Sequence, residues 1–275
     1  MSRKGKLFII LIALLVLSLA SAISWHLRFA LAKEINATTI ELPPQQAYVA
    51  SPRVVADESF IKRHNEFLRI LKTTRPNVIF FGDSLTDNWH KHQDIWETSF
   101  GQYNPANFGI SGDHTQNLLW RIINGELDDT SPKVIVLQIG TNNTQVQSEE
   151  GSPENIATGI KAIVDLIIQK QPGAKILLIA CFPRGEKPAS DIRNLKLKTI
   201  NSMIAKLDDG KRIHYLDFAD SFLRADGTIA KELMPDFLHL SSSGYRVWAD
   251  AITPKLTELM RCTHHENGDR AVLLI

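Results

Sequence analysis

Four short, well-separated segments of the chain carry groups that together could cleave an ester. Gly82-Asp83-Ser84-Leu85 offers a hydroxyl directly after an apolar run, and Asp236-Phe237-Leu238-His239 offers an imidazole with a carboxylate three residues before it. Between them, Asn107-Phe108-Gly109-Ile110-Ser111-Gly112-Asp113 and Gly140-Thr141-Asn142-Asn143 offer hydrogen-bond donors in glycine-bearing turns. A serine hydroxyl is a poor nucleophile near neutral pH and needs a base within reach, itself oriented by a third group. Ser84, His239 and Asp236 are the candidates for these roles. On one turn, the Asp-x-x-His spacing lets the carboxylate hold one ring nitrogen and leaves the other for the hydroxyl. Attack on a carbonyl places negative charge on its oxygen, so donors aimed at that oxygen are the remaining requirement. The Gly112 N–H, the Asn142 side-chain amide and the Ser84 N–H are the candidates for this oxyanion hole.

Each group also has a plainer reading. Ser84 after Asp83 at a strand end could cap a helix, Asp236 and His239 could form a polar turn, and glycine and asparagine are ordinary turn residues. The joint presence of all four segments favours the chemical reading. Asp83, Asn107 and Asp113 are expected to hold their loops through hydrogen bonds rather than touch substrate. Of the nine histidines, His90, His92, His114, His214, His264 and His265 have no comparable support and read as surface or local structural residues. The His264-His265 pair has no further ligands for a metal. The absence of a second glycine after Ser84 argues against a G-x-S-x-G nucleophile elbow. Leu85, Trp89, Trp120, Phe237 and Leu238 lie near the motifs and are candidates for shaping the acyl pocket, with core filling the stronger reading for the two tryptophans.

The elements that must position these groups alternate between short apolar runs and helical patterns, as in parallel strands joined by crossover helices. Strands are expected at 78–81, 134–139, 176–180 and 213–216, with a further short one at 105–108. Phe60, Phe67, Leu68 and Leu71 give a first amphipathic helix that ends before Pro76. Ser152-Pro153-Glu154 opens another with buried Ile156, Ile160, Ile163 and Ile167. Leu195, Ile200 and Ile204 mark a third, and Tyr245, Trp248, Ile252 and Leu256 mark the last. The expected fold class is α/β, a three-layer α/β/α sandwich around a parallel sheet. Open sheets of this kind bind ligands at the carboxyl ends of their strands, where Ser84 and Asn142 fall.

At 275 residues and 44% hydrophobic content, one large domain with terminal additions is the simplest organisation. A net charge of +1 gives no field favouring nucleic acid, which excludes it as an expected partner. Cys181, within an apolar run, and Cys262 near the end read as separate thiols rather than a disulfide. Arg3, Lys4 and Lys6 precede an uncharged apolar stretch from Leu7 to Ile23, the layout of a secretory signal or signal anchor. The expected organisation is therefore a signal peptide or anchor helix at 1–32, an extended linker at 33–56, a catalytic domain at 57–262 and a tail at 263–275. Export follows, with the domain periplasmic, extracellular or membrane-anchored outside the cytoplasm. An uncleaved leader would make the membrane a partner.

The motifs resemble the consensus blocks of the GDSL, or SGNH, hydrolase superfamily. Asn107 to Asp113, Leu119-Trp120-Arg121, Asn124-Gly125-Glu126-Leu127, Pro132 to Val136, Pro183-Arg184-Gly185-Glu186-Lys187-Pro188 and Asp236 to Leu240 closely resemble its platelet-activating-factor acetylhydrolase subfamily. The resemblance implies a flavodoxin-like sandwich, Ser84 as nucleophile, Gly112 and Asn142 as oxyanion donors, and His239 with Asp236 completing the site, without a metal or other cofactor. By analogy with paired relatives, it also implies a homodimer. The expected activity is serine-dependent hydrolysis of a carboxylic ester through an acyl-enzyme, releasing a short acyl group such as acetyl from a small acylated lipid or glycan. The alternatives are a carbohydrate or peptidoglycan O-acetylesterase, a lysophospholipase, or an inactive membrane-tethered binding module.

Overall fold

Five runs rich in Val, Ile, Leu and Phe form one parallel sheet: β1 (Val78–Gly82), β2 (Pro105–Gly109), β3 (Val134–Gln138), β4 (Lys175–Ile179) and β5 (Ile213–Leu216), in the order β2-β1-β3-β4-β5. The computed structural model describes residues 46–53 and 58–262. In register, Val78 lies beside Pro105 on one side and Val134 on the other. Every residue of β1 and β3 is buried, because helices cover both faces of a parallel sheet and leave no solvent side to alternate with.

The seven α-helices among the described residues are α1 (Glu58–Thr74), α2 (Ser84–Asp87), α3 (Gln93–Phe100), α4 (Thr115–Arg121), α5 (Pro153–Lys170), α6 (Ile192–Ile204) and α7 (Ser242–Cys262). Successive strand side chains point to opposite faces. Thus Ile79, Phe81, Ile135 and Leu137 join α1, α4, α5 and α6 in one core, while Val78, Phe80, Val134 and Val136 join α3 and α7 in the other. The expected α/β/α sandwich is this structure.

Local chemistry starts the helices, at α5 as anticipated. The Ser152 hydroxyl accepts the Asn155 N–H at the start of α5, with Pro153 in the first turn, and Asp191 accepts the Arg193 N–H at the start of α6. Two stripe positions differ from expectation. Leu195 is exposed and Leu197 is buried in its place, because 197, 200 and 204 follow helical spacing and 195 falls off that face. In α1 the buried row is Phe60, His64, Phe67 and Leu71, with Leu68 only half-buried.

Residues 46–53 correct part of the linker expectation, since they lie on the domain rather than extending from it. The Ala47 carbonyl accepts the Thr115 hydroxyl at 2.6 Å, the Ser51 N–H donates to the Gln116 carbonyl at 3.2 Å, and the Asn117 side chain donates to the Ser51 carbonyl at 3.1 Å. Gly159 permits the approach, since a Cβ there would lie 2.4 Å from the Ala47 carbonyl oxygen. The expected leader at 1–32, the linker residues 33–45 and 54–56, and the tail at 263–275 lie outside the described residues. Among the described residues, no helix is long and apolar enough to cross a membrane.

Candidate active site

The carboxyl ends of β1, β2 and β3 bring three of the four segments together. Gly82 closes β1 where a Cβ would lie 2.5 Å from the Gln138 carbonyl oxygen, so the neighbouring strand excludes any larger residue. Asp83 then accepts the Leu85 N–H at 3.0 Å and starts the single turn α2, with Ser84 as its first residue. Capping is therefore the work of Asp83, which leaves the Ser84 hydroxyl free for another partner. Asp83 is fully buried; burial pushes its carboxyl up to about 7, and its second oxygen has no hydrogen-bond partner.

The Ser84 hydroxyl lies 3.0 Å from Nε2 of His239, and Nδ1 of His239 lies 2.7 Å from Oδ2 of Asp236. The other carboxylate oxygen of Asp236 accepts the backbone N–H groups of His239 at 2.7 Å and Leu238 at 3.1 Å. Phe237, between them, has a φ of +61°, in the left-handed region that brings the chain sharply back on itself. Partial burial works to raise the Asp236 carboxyl, but the ring and backbone donors outweigh it and hold the group below the usual carboxylate range. An ionised carboxylate only accepts, so Nδ1 carries the ring proton and Nε2 presents its lone pair to the Ser84 hydroxyl.

The oxyanion candidates line the same cavity as this triad. Gly112 has a φ of +84° in the turn after β2, and Asp113 beside it is fixed by Arg121 Nε at 2.8 Å and Arg53 Nη2 at 3.0 Å. One N–H of the Asn142 amide donates to the Asp113 carbonyl at 2.9 Å, tying the loop after β3 to the loop after β2 and leaving the second N–H for another acceptor. Asn143 adds a second tie by accepting the Thr115 N–H at 3.0 Å and donating to Gln116 at 2.9 Å. Asn107 holds its loop as expected, donating to the Asp87 carbonyl and accepting the Gly109 N–H. Ser84, Gly112, Asn142, Asp236 and His239 all line one open cavity of about 720 Å³.

Of the five residues expected to shape the pocket, only Leu238 lines it. Leu85 and Trp89 turn inward from α2 and the turn after it, with Trp89 against Trp96, Phe100, Tyr245 and Trp248. Trp120 packs on Phe60 and His64 in the opposite layer, and Phe237 is half-buried away from the cavity. The walls are instead Asn88, Lys91, His92, Ser111, Gln145 and Leu240, together with Leu238. His92 is therefore a wall residue as well as a local structural one, its Nδ1 3.1 Å from the Ser242 hydroxyl. A separate cavity of about 620 Å³ beside Cys181 and Tyr215 holds no comparable pair. There, burial pushes the Cys181 thiol far up and the Tyr215 hydroxyl donates to Asp217 at 3.1 Å.

Behind the loop that carries Gly112 runs a buried ionic network that the sequence alone did not reveal. Arg121 bridges Asp113 and Glu126, with Nη1 2.6 Å from Glu126, and Glu126 in turn meets His64 at 2.7 Å. The signal was His64 in the apolar phase of α1. A buried histidine needs a partner, though periodicity does not say which.

A serine–imidazole–carboxylate line and donor-bearing loops at the carboxyl edge of a five-stranded parallel sheet define an α/β sandwich of the SGNH hydrolase type. The chain belongs to the GDSL-like lipase/acylhydrolase family, whose model matches residues 80–247. It is 36% identical over 217 residues to platelet-activating factor acetylhydrolase IB subunit alpha2 of Rattus norvegicus, covering 79% of this chain and 92% of that one. The human alpha1 subunit is 37% identical over 222 residues, covering 80% and 91%. Among solved structures, a GDSL-like lipase of Bacteroides thetaiotaomicron superposes with a TM-score of 0.60 at 19% identity, covering 72% of this chain and 97% of that one.

Proposed function

We propose that the protein is a serine-dependent carboxylic-ester hydrolase that works through an acyl-enzyme and prefers a short acyl group such as acetyl. The observation that carries this reading is the unbroken line from the Ser84 hydroxyl through both ring nitrogens of His239 to Asp236, at 3.0 and 2.7 Å, on the cavity that Gly112 and Asn142 also line. Oγ of Ser84 attacks the carbonyl carbon while its proton passes to Nε2 of His239. The oxyanion receives the N–H groups of Gly112, Asn142 and Ser84. Collapse breaks the ester bond, and the leaving alkoxide takes the proton from Nε2. Water, deprotonated by the same nitrogen, then attacks the acyl carbon and releases the acid and Ser84. Asp236 stays ionised throughout and stabilises the imidazolium.

The acyl preference rests on the relatives, which are named acetylhydrolases, and on the walls. Leu238 and Leu240 are the apolar side chains among the lining residues, too little surface for a long chain, so a lysophospholipase is the weaker alternative. The polar remainder, Asn88, Lys91, His92 and Gln145, favours a second reading in which the acetyl group sits on a glycan, in line with the export expected from the basic and apolar leader.

The test is reaction with a fluorophosphonate probe together with hydrolysis across acetyl, butyryl and long-chain esters and acetylated glycans. The expected result is labelling that disappears in Ser84→Ala and turnover that falls with acyl length. No labelling of the unaltered chain, or labelling that persists in Ser84→Ala, would leave the inactive binding module as the better account.

A further inference from the structure

The Gly112 N–H and the Ser111 carbonyl belong to one peptide unit. That unit is planar and trans, so its carbonyl and its N–H point in opposite directions, and fixing one fixes the other. Glycine has nearly equal access to positive and negative φ, so the unit before Gly112 has little intrinsic resistance to turning over. A flipped unit would aim a carbonyl oxygen, not an N–H, at the charge that develops in the reaction.

Arg53 holds this unit. Its Nη2 donates to the Ser111 carbonyl and, at 3.0 Å, to Oδ1 of Asp113, so one guanidinium grips the residues on both sides of Gly112. The guanidinium lies directly over the glycine, where a Cβ would be 3.0 Å from Nη2. Its own position is set from behind. Residues 46–53 are anchored on α4 at Thr115, Gln116 and Asn117, and the guanidinium also faces the Phe60 ring, 5.5 Å from its centroid. Asp113 is fully buried, which strengthens its ion pair with Arg53 relative to an exposed one. Polarising the carbonyl of an amide also makes its N–H a better donor.

We propose that Arg53 is a positioning residue for ester cleavage: residues 46–53 act as a strap whose guanidinium locks the peptide between Ser111 and Gly112 with the N–H turned toward the substrate oxygen. This rests on the reading of the site as an ester hydrolase. It places part of the machinery ahead of the stretch that the family model matches, which begins at residue 80. It also explains why a segment with the composition of a tether docks on the helix that follows the oxyanion loop.

The experiment compares the full chain with Arg53→Ala and Arg53→Lys on a short acetyl ester, with thermal unfolding measured in parallel. A misaimed oxyanion donor lowers kcat in Arg53→Ala by about 10–100-fold, somewhat less than complete loss of a donor, while KM stays within about threefold. Arg53→Lys recovers part of the loss, and millimolar guanidinium ion partly restores Arg53→Ala but not Ser84→Ala. Affinity for a trifluoromethyl ketone, which forms an alkoxide in the same place, falls in step with kcat/KM. Full kcat in Arg53→Ala, or a lower kcat with undiminished ketone affinity, overturns the proposal and leaves the hydrolase reading intact. If the unaltered chain neither hydrolyses esters nor takes the fluorophosphonate, both readings fall together.

Discussion

The two sides of the cavity are built in opposite ways. On the Gly112 side, Asp113 and Arg121 have fully buried side chains, cross-braced through Glu126 and His64 and bonded to main chain from two strands. On the other side, the side chains of His239 and Asp236 are 37% and 57% exposed and are held by a turn of four residues. The proposed donors are partly backbone groups, whose aim depends on how whole loops are held, so that side needs deep bracing. In the proposed reaction the base must release its proton to a leaving group and then meet water, so its side needs access and only local support. On that reading, rigidity lies where charge would develop, and openness where protons and water would pass.

This contrast can be broken most severely at the imidazole. His239→Ala should lower kcat by about 10⁴-fold or more while the melting temperature hardly changes, a pairing read by initial rates and calorimetry. Asp236→Asn should cost about 10³–10⁴ in kcat by presenting the wrong tautomer to Ser84, again with little effect on stability. A large drop in unfolding temperature with a small rate effect would mark Asp236 as structural.

On the braced side the order of effects reverses. Arg121→Met leaves Asp113 and Glu126 buried without their shared cation and should destabilise by about 3–5 kcal/mol, measured by urea unfolding. A neutral outcome would show that the network contributes little to stability. The last effect concerns Asp83. Its folded pKa of about 7 lies above the ordinary carboxylate value of 3.8, so the folded chain holds this proton more tightly than the unfolded chain. The resulting stability is complete below the ordinary value and is lost as pH rises to about 7. Asp83→Asn has no proton to lose, so the melting temperature of the unaltered chain should fall relative to that of the variant as pH rises from about 4 to about 7. Parallel curves would mean that Asp83 is ionised throughout.

How much of this was legible in the sequence depends on how local each interaction is. The strands were readable because both faces of a parallel sheet are covered, which makes each strand a continuous apolar run. Asp236 was readable because all of its contacts fall on residues two and three positions ahead. The pocket walls were not, since proximity along the chain does not give direction. Leu85 is adjacent to Ser84 yet faces the core, and Lys91 and Gln145 reach the cavity from positions just outside the motifs. The docking of residues 46–53 was equally hidden, because its hydrogen bonds are mostly to main-chain carbonyls and amides that any sequence possesses.

The amino-acid order by itself determined the layered fold, the strand-end placement of Ser84 and Asn142 and the pairing of Asp236 with His239, because periodic burial and short-range turns are written in neighbouring residues. Tertiary structure alone decided that Ser84 meets a ring 155 positions away and that Arg53 grips Asp113 across 60. It alone decided, too, that His64, Glu126 and Arg121 share one buried network. Contacts between distant segments depend on how the helices seat against the sheet, and that geometry exists only once the core has closed.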